Sequence, residues 1–270
     1  KELFIEKTYR NSQSLIDIAG KYIMKNPIQK KKNLKSALPL IENPVKIYQY
    51  SKEILIGINE VVDDIARLAN DTVKEILVLG RTNSEINVFV SDEAKEYYTT
   101  RESNDSNEKN IFKIVSKKYP KLIITFMNVH KSKGLEADYV MVIGLEDKTT
   151  GFPNKISDDP ILNLVLTNSD SFEYSEERRL FYVALTRTRN NTYLLCSTES
   201  PSSFVNEMIK QYKINPIIVD CEVIKKKEVK CPKCKEGNLV LRAESNFIGC
   251  SNYPLCDNTY TDLNILENPV

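Results

Sequence analysis

Short apolar segments alternate with amphipathic patterns along most of this sequence, and this alternation limits the possible folds more than any other feature. Apolar residues at spacings of three and four predict helices over residues 12–24 and 51–69, and another helix after Ser84. Strands that alternate with helices indicate an α/β domain with a mostly parallel sheet. The predicted strands are Val45–Tyr50, Ile76–Leu79, Leu122–Phe126, Tyr139–Ile143 and Tyr193–Cys196.

Polar segments between these elements predict the domain boundaries. Residues 25–43 and 99–110 have the composition of loops, and residues 212–230 contain Pro216 and a run of three lysines. We therefore predict one α/β domain over residues 1–212, a linker over 213–228 and a small cysteine-containing module over 229–265.

The sequence contains no candidate membrane span, and its composition excludes a large net charge. The chain has 270 residues, of which 38 are basic and 37 acidic, so any contact with nucleic acid must come from local patches. No apolar run is long enough to cross a membrane, and we expect no signal peptide. Four of the six cysteines lie in the last 40 residues, which favours a metal site and a cytoplasmic location. Because the chain begins with Lys1, we expect it to be a piece of a longer protein.

Residues 176–187 form a predicted helix whose apolar stripe ends in an arginine. Leu180, Phe181, Ala184 and Leu185 share one face of this helix, and Arg187 falls at the edge of that face. A guanidinium near a core keeps its charge and is costly to leave unpaired. We therefore expect Arg187 to meet an anion where the helix ends.

The cysteine spacing predicts a structural zinc site. Cys231 and Cys234 form a CxxC pair. Fifteen residues separate Cys234 from Cys250, and five separate Cys250 from Cys256. Four thiolates complete a tetrahedral Zn²⁺ site and leave no open position for catalysis. The alternative is four free thiols.

Residues 247–256 resemble the C-terminal zinc ribbons of bacterial type I topoisomerases. Ribbons of this kind bind single-stranded DNA, which implies that the aromatic side chains stack on bases and that Lys233, Lys235 and Arg242 contact phosphates. The alternative for Phe247 and Tyr253 is that they fill the small core of the module.

Three further segments carry residue types that bind phosphate. Residues 8–12 place Arg10 just before a predicted helix N-terminus, where anions bind. Residues 130–136 include Gly134, which allows a tight turn or a close approach to a ligand. Residues 81–83 follow a buried strand, at the end of a parallel sheet where ligands usually bind. Arg10 could also be an ordinary surface charge, and His130 an ordinary loop residue. Arg178 and Arg179 could form a solvated helix face, and we expect one of the two to be solvated.

In their order and spacing, these segments resemble motifs of the UvrD/Rep-type superfamily 1 DNA helicases. Residues 8–12 are similar to motif IV, residues 130–140 to motif V and residues 176–187 to motif VI, with an FP element at Phe152-Pro153. The resemblance implies that residues 3–210 form the second RecA-like domain, of the P-loop NTPase type, of a DNA-dependent ATPase.

The family's motifs imply roles for individual residues. Tyr9 would stack on the adenine of ATP, and Arg10 and Arg187 would contact the γ-phosphate. Glu136 would bind the ribose, with Gly134 shaping the loop. His130 and Lys133 would face single-stranded DNA. The family's polarity of translocation, 3′ to 5′, is implied only by the resemblance.

Departures from the family pattern are small inside the motifs and large outside them. Asn11 stands where a serine is usual, and Thr188 where an alanine is usual. Only about 45 residues separate Asn83 from His130, which leaves no room for the large inserted subdomain and resembles helicase IV-like members.

The sequence contains no GxxxxGK[ST] phosphate loop and no acidic motif that could hold Mg²⁺. We therefore expect ATP and Mg²⁺ to bind only in the full-length protein, with a missing N-terminal RecA-like domain, and this chain to be inactive alone. One alternative is a non-catalytic module that binds single-stranded or partly duplex DNA. Another is a docking domain for transcription or repair proteins. The bacterial cytoplasm, in association with the nucleoid, is the expected location.

Overall fold

The computed structural model describes residues 7–30, 34–103, 105, 109–156, 172–219, 230–237, 239–242 and 247–260. The chain forms two compact units, Lys1–Asp220 and Cys221–Val270. In the described residues, no helix is both long and apolar enough to cross a membrane.

The first unit contains ten described strands and five described α-helices. The strands are β1 (Lys7–Thr8), β2 (Lys35–Ser36), β3 (Val45–Tyr50), β4 (Lys74–Gly80), β5 (Tyr98–Glu102), β6 (Phe112–Ser116), β7 (Leu122–Asn128), β8 (Tyr139–Val142), β9 (Thr192–Ser197) and β10 (Ile217–Val219). The helices are α1 (Gln13–Ile23), α2 (Ile54–Ala69), α3 (Asn87–Val90), α4 (Ser175–Leu185) and α5 (Ser203–Tyr212).

Eight of these strands form one sheet, in the order β10-β3-β9-β8-β4-β7-β6-β5. The six strands from β10 to β7 are parallel, and β6 and β5 add an antiparallel edge. Strands β1 and β2 pair with each other in a separate parallel ribbon. The predicted α/β class with a mostly parallel sheet is confirmed.

Helices cover both faces of the sheet, so the central strands are buried on both sides. One core lies between the sheet and α2 with α3, and includes Ile58, Val78 and Phe126. The other lies between the sheet and α1, α4 and α5, and includes Leu15 and Phe181. Burial on both faces explains why the central strands are continuous apolar runs and not alternating patterns.

Helix α1 confirms the predicted helix over residues 12–24. Ser12 is its N-cap, and the Ser12 hydroxyl accepts a hydrogen bond from the backbone N–H of Leu15. The helical segment expected after Ser84 begins one residue earlier, as a 3₁₀ turn at Asn83–Ile86, because Thr82 and Glu85 form a capping box.

The structure corrects three predicted loops. Residues 99–102, predicted as loop, lie in β5, and β6 pairs with β5 as an antiparallel hairpin. These strands were missed because β5 is an edge strand whose side chains are mostly exposed and polar. Strand β2 lies within the predicted loop 25–43, and β10 lies within the predicted linker 213–228.

The second unit is a three-stranded antiparallel sheet in the order β11-β12-β13, formed by Leu239–Arg242, Phe247–Cys250 and Thr259–Tyr260. Leu239 and Ile248 are buried beside the four cysteines. This core is very small, so apolar burial alone cannot account for the stability of the unit.

Candidate functional site

Two loops at the amino-terminal edge of the parallel sheet bring motif residues together. One precedes β8 and carries Glu136, and the other follows α4 and carries Arg187 and Arg189. Ala137 links them, because its N–H donates to the carbonyl of Arg187 at 3.0 Å and its carbonyl accepts the Arg189 N–H at 2.8 Å. The sheet thus fixes these side chains next to one another.

The segment that precedes α1 is attached to the same edge through Asn11. The buried Asn11 side-chain amide donates to the carbonyl of Thr188 at 2.7 Å and to that of Thr186 at 3.3 Å. This attachment places Arg10 beside Glu136 and Arg187. Asn11, a departure from the usual motif, therefore ties two motifs together, while the adjacent Ser12 caps the helix.

Residues 7–11, Glu136, Tyr182, Thr186 and Arg187 line a cavity of about 470 Å³ at this edge. Tyr9 is 70% exposed, so its ring is accessible for stacking. The Lys7 ammonium lies 5.2 Å from the centroid of the Tyr9 ring. The cavity therefore combines cationic groups with one accessible aromatic ring.

Arg187 lies beyond α4, not within it, which corrects the predicted helix over residues 176–187. The helix ends at Leu185, and Arg187 folds back so that its Nε donates to the carbonyl of Val183 at 3.1 Å. A second guanidinium nitrogen donates to the carbonyl of Leu135 at 3.3 Å. These contacts hold the side chain at the C-terminal end of a helix, where cations are favoured.

Arg187 has no carboxylate within 4.0 Å in the described part of the chain. Burial, followed by repulsion from Arg10, lowers the pKa of its guanidinium, which nevertheless stays charged near neutrality. Arg10 and Arg187 bring two guanidinium groups to the cavity and Glu136 brings one carboxylate, which leaves a net positive charge there. The arrangement favours a bound anion.

Glu136 accepts one arginine on each oxygen of its carboxylate. Arg10 Nε donates to Oε2 at 2.6 Å, and Arg189 Nε donates to Oε1 at 3.1 Å. Hydrogen bonds from Arg10 and then from Arg189 lower the pKa of Glu136. The carboxylate is therefore ionised near neutral pH.

The opposite, carboxyl-terminal edge of the sheet holds a different group of predicted residues. Arg81 follows β4 and forms a forked ion pair with Glu177 of α4, at 2.7 Å and 2.9 Å. A third Arg81 nitrogen lies 3.3 Å from Nε2 of His130, which follows β7. Burial and then Arg81 lower the pKa of His130, so its ring is neutral at neutral pH.

The two edges separate two sets of residues that the sequence grouped together as phosphate contacts. Arg81 and His130 do not join Arg10 and Arg187, because they follow β4 and β7. The loops that carry Glu136 and Arg187 instead precede β8 and β9 of the same parallel sheet. Lys133 is exposed in the segment between the two edges, and Gly134 has φ +86°, a conformation that favours glycine.

The four predicted zinc ligands meet in the second unit. The sulfur atoms of Cys231, Cys234, Cys250 and Cys256 all lie within 4.8 Å of one another, and no disulfide joins them. Two pairs of sulfurs lie at 3.8 Å and 3.5 Å, close to the separation of about 3.8 Å expected of thiolates around a tetrahedral Zn²⁺ with bonds of about 2.3 Å.

Hydrogen bonds to the sulfurs support a thiolate site. Backbone N–H groups of Gly237 and Asn252 donate to Cys234 and Cys250, and the side-chain amide of Asn258 donates to Cys231. Burial raises the pKa of Cys231, but the N–H donors outweigh it and lower that pKa to about 6. At Cys250, burial outweighs the Asn252 N–H and raises the pKa to about 12, so a bound cation is needed to keep this sulfur as a thiolate. Such donors orient and stabilise metal-bound thiolates.

Tyr253 is 70% exposed and does not fill the core of the small unit, which removes one of the two interpretations made from the sequence. Phe247 belongs to β12, but its side chain and that of Arg242 lie outside the described part of the chain. Lys233 forms an ion pair with Asp257, which reduces the positive charge of its surroundings.

Comparisons with known proteins assign both units. A family model for the UvrD-like helicase C-terminal domain matches residues 93–199, and a model for the topoisomerase DNA binding C4 zinc finger matches residues 228–265. DNA helicase IV of Escherichia coli (strain K12) is 31% identical over 210 residues, which are 78% of this chain and 26% of that protein. This chain carries a UvrD-like helicase C-terminal domain and a topoisomerase-type C4 zinc ribbon.

Other relatives match a shorter part of the helicase domain. The ATP-dependent DNA helicase UvrD2 of Mycobacterium tuberculosis (strain ATCC 25618 / H37Rv) is 32% identical over 103 residues, 35% of this chain and 13% of that protein. A solved C-terminal domain of a possible DNA helicase from Lactobacillus plantarum WCFS1 is 17% identical, with a TM-score of 0.41 over 73% of this chain and 92% of that domain. The chain spans about a quarter of helicase IV.

The helicase domain therefore presents two groups of residues on two edges of one sheet. Sequence motifs found Arg10, Glu136 and Arg187, which the structure brings together. They missed Arg189, the second arginine on Glu136, and Glu177, the partner of Arg81. The signal that could have indicated Arg189 is its spacing of two from Arg187. These two arginines flank Thr188, which forms an isolated β-bridge with Ala137, just before β8.

Proposed function

We propose that this chain is the C-terminal part of an ATP-dependent DNA helicase or translocase that moves 3′ to 5′. Its helicase domain is the second of two RecA-like domains and supplies half of the ATP site. One observation carries this proposal. A half-buried Arg187, without a carboxylate partner in the described residues, faces the same cavity as Arg10.

The residues of the cavity have separate roles in this proposal. Arg187 and Arg10 neutralise the charge that develops on the γ-phosphate, as arginines do in other phosphoryl-transfer sites. The exposed Tyr9 ring stacks on the adenine, and Glu136 binds the ribose. The phosphate loop and the Mg²⁺ ligands, which this sequence does not contain, come from the N-terminal RecA-like domain of the same protein.

The opposite edge and the zinc ribbon contact DNA. His130 and Lys133 line the track of the single strand. In the ribbon, Tyr253 and Phe247 stack on bases, a contribution of roughly 1–3 kcal/mol per base. Zinc is structural, because its four thiolates leave no open coordination position.

Turnover by the isolated chain and by the full-length protein tests this proposal. We expect no ATP hydrolysis above background from residues 1–270, with or without single-stranded DNA, because the phosphate loop is missing. The full-length protein should hydrolyse ATP, and single-stranded DNA should stimulate it. DNA-stimulated turnover by residues 1–270 alone would contradict the half-site.

A non-catalytic module that binds single-stranded DNA is the second candidate, and the exposure of Tyr253 favours it as well. The two candidates differ in what they require of the helicase domain, because only the first requires an anion at Arg187. If the full-length protein binds single-stranded DNA but hydrolyses no ATP, the second candidate is correct.

A further inference from the structure

The carboxylate of Glu136 has two oxygens in different surroundings. Oε2 accepts a hydrogen bond from Arg10, which lines the cavity, at 2.6 Å. Oε1 accepts a hydrogen bond from Arg189, which is outside the cavity lining, at 3.1 Å. Oε2 is therefore bound by a residue of the cavity lining, and Oε1 by a residue outside that lining.

Arg189 is fixed in place by its backbone and by two further carboxylates. Its N–H donates to the carbonyl of Ala137, the residue after Glu136, at 2.8 Å. Its guanidinium also lies 3.6 Å from Glu75 and 3.8 Å from Asp138. A side chain held from several directions keeps its position when one partner of Glu136 is exchanged.

The two arginines that donate to Glu136 respond differently when an anion enters the cavity. An anion in the cavity competes with Glu136 for the Arg10 guanidinium, because both share that cavity, and it can draw the Nε donor away from Oε2. Glu136 would then lose the partner of Oε2, and Arg189 alone would compensate its charge. A free carboxylate oxygen at the cavity wall is an acceptor for a hydroxyl group.

We propose that Arg189 is a positioning residue for the nucleotide. It holds Oε1 of Glu136, so that Oε2, once Arg10 turns to phosphate, accepts a hydrogen bond from a ribose hydroxyl. The inference rests on the proposed function, since it requires a nucleotide in the cavity. Arg10 thus donates to the same carboxylate oxygen that the ribose hydroxyl would use.

The consequence is a nucleotide preference that depends on a residue outside the cavity. ATP gains a charge-assisted hydrogen bond at Oε2, and a nucleotide without the relevant hydroxyl does not. Without Arg189, the Glu136 side chain can take other rotamers, and this gain is lost. Arg189→Lys keeps the charge but not the planar fork, so it should restore only part of the preference.

The test measures kcat and KM of the full-length protein, with saturating single-stranded DNA, for ATP, 2′-deoxyATP and 3′-deoxyATP. We expect Arg189→Ala to raise KM for ATP by about 10-fold, the loss of one hydrogen bond to a charged group. The kcat of Arg189→Ala should stay at the wild-type value. So should its KM for the deoxy analogue that lacks the ribose hydroxyl bound by Oε2. Glu136→Gln should weaken the same preference for ATP. The double variant Glu136→Gln/Arg189→Ala should weaken it little further than Glu136→Gln alone.

Arg101→Ala, which removes an exposed arginine from β5, is the matched control and should change nothing. The inference is overturned if Arg189→Ala keeps the wild-type ratio of KM values, or if it raises KM for all three nucleotides equally. A wild-type protein that hydrolyses none of them contradicts the proposed function itself, not the role of Arg189 alone.

Discussion

At the residue scale, Arg178 shows that neighbouring arginines of one helix can have opposite environments. Arg178 is buried, stacks over the ring of Tyr22 at 4.5 Å and pairs with Glu207 of α5, whose side chain is 10% exposed. The adjacent Arg179 pairs with the exposed Glu176. The sequence alone predicted that one of the two arginines is solvated, without distinguishing them.

We expect Glu207→Gln to lower the free energy of unfolding by about 3 kcal/mol, since it leaves a buried guanidinium without its carboxylate. The double variant Arg178→Met/Glu207→Leu should recover most of this loss, because it removes the buried pair. It leaves without this carboxylate only Lys25, whose side chain is 31% exposed. Urea unfolding of residues 1–270 measures both. Lys95→Ala, which removes an exposed ion pair, is the control and should have no measurable effect. Equal losses in the single and double variants would contradict the proposed burial of charge.

At the element scale, two glycines inside helices differ in what surrounds them. A Cβ added at Gly20 of α1 would have no heavy atom within 4 Å. A Cβ added at Gly57 of α2 would lie 2.7 Å from Cδ1 of Leu195, which is fully buried in the sheet. The same change should therefore have opposite effects at the two positions.

Gly20→Ala should raise the free energy of unfolding by about 0.5–1 kcal/mol, the gain in helix propensity. Gly57→Ala should lower it, because Leu195 must shift within a close-packed core. Thermal or urea unfolding distinguishes the two variants. A stabilising Gly57→Ala would show that α2 does not pack on β9 as closely as described.

The sequence predicted the elements in which burial follows a regular pattern from residue to residue. Strands β4, β8 and β9 lie at the predicted places because their apolar runs reflect burial on both faces. Strands β3 and β7 also lie at the predicted places, although Lys46 and Gln49 interrupt β3 and Ile123 of β7 is 51% exposed. Strands β5 and β10 were missed because edge strands are short or polar, and their pairing depends on distant residues.

The same limit applies to the site. Motifs identified Arg10, Glu136 and Arg187, whereas Arg189 and Glu177 are recognised only from contacts across the sheet.

At the scale of the whole molecule, the two compact units should lose structure independently. The zinc ribbon has a very small apolar core, and structural Zn²⁺ contributes roughly 10–16 kcal/mol to comparable modules. A chelator should therefore remove the amide protection of β11, β12 and β13 and leave that of β3 and β9 intact, as followed by hydrogen exchange. Cys250→Ala should bind no zinc, whereas Cys196→Ala should still bind one ion per chain. Loss of protection in β3 and β9 on chelation would contradict this independence.

The central claim is that Arg187 belongs to an ATP site that another domain of the protein completes. The most direct measurement is DNA-stimulated ATP hydrolysis by the full-length protein and its Arg187→Ala variant, alongside the affinity of both for single-stranded DNA. We expect kcat to fall by about 10³-fold, typical of the loss of an arginine at a transferring phosphate, while DNA affinity stays unchanged. Arg101→Ala should match the wild type in both measurements. Wild-type turnover by Arg187→Ala would contradict the account.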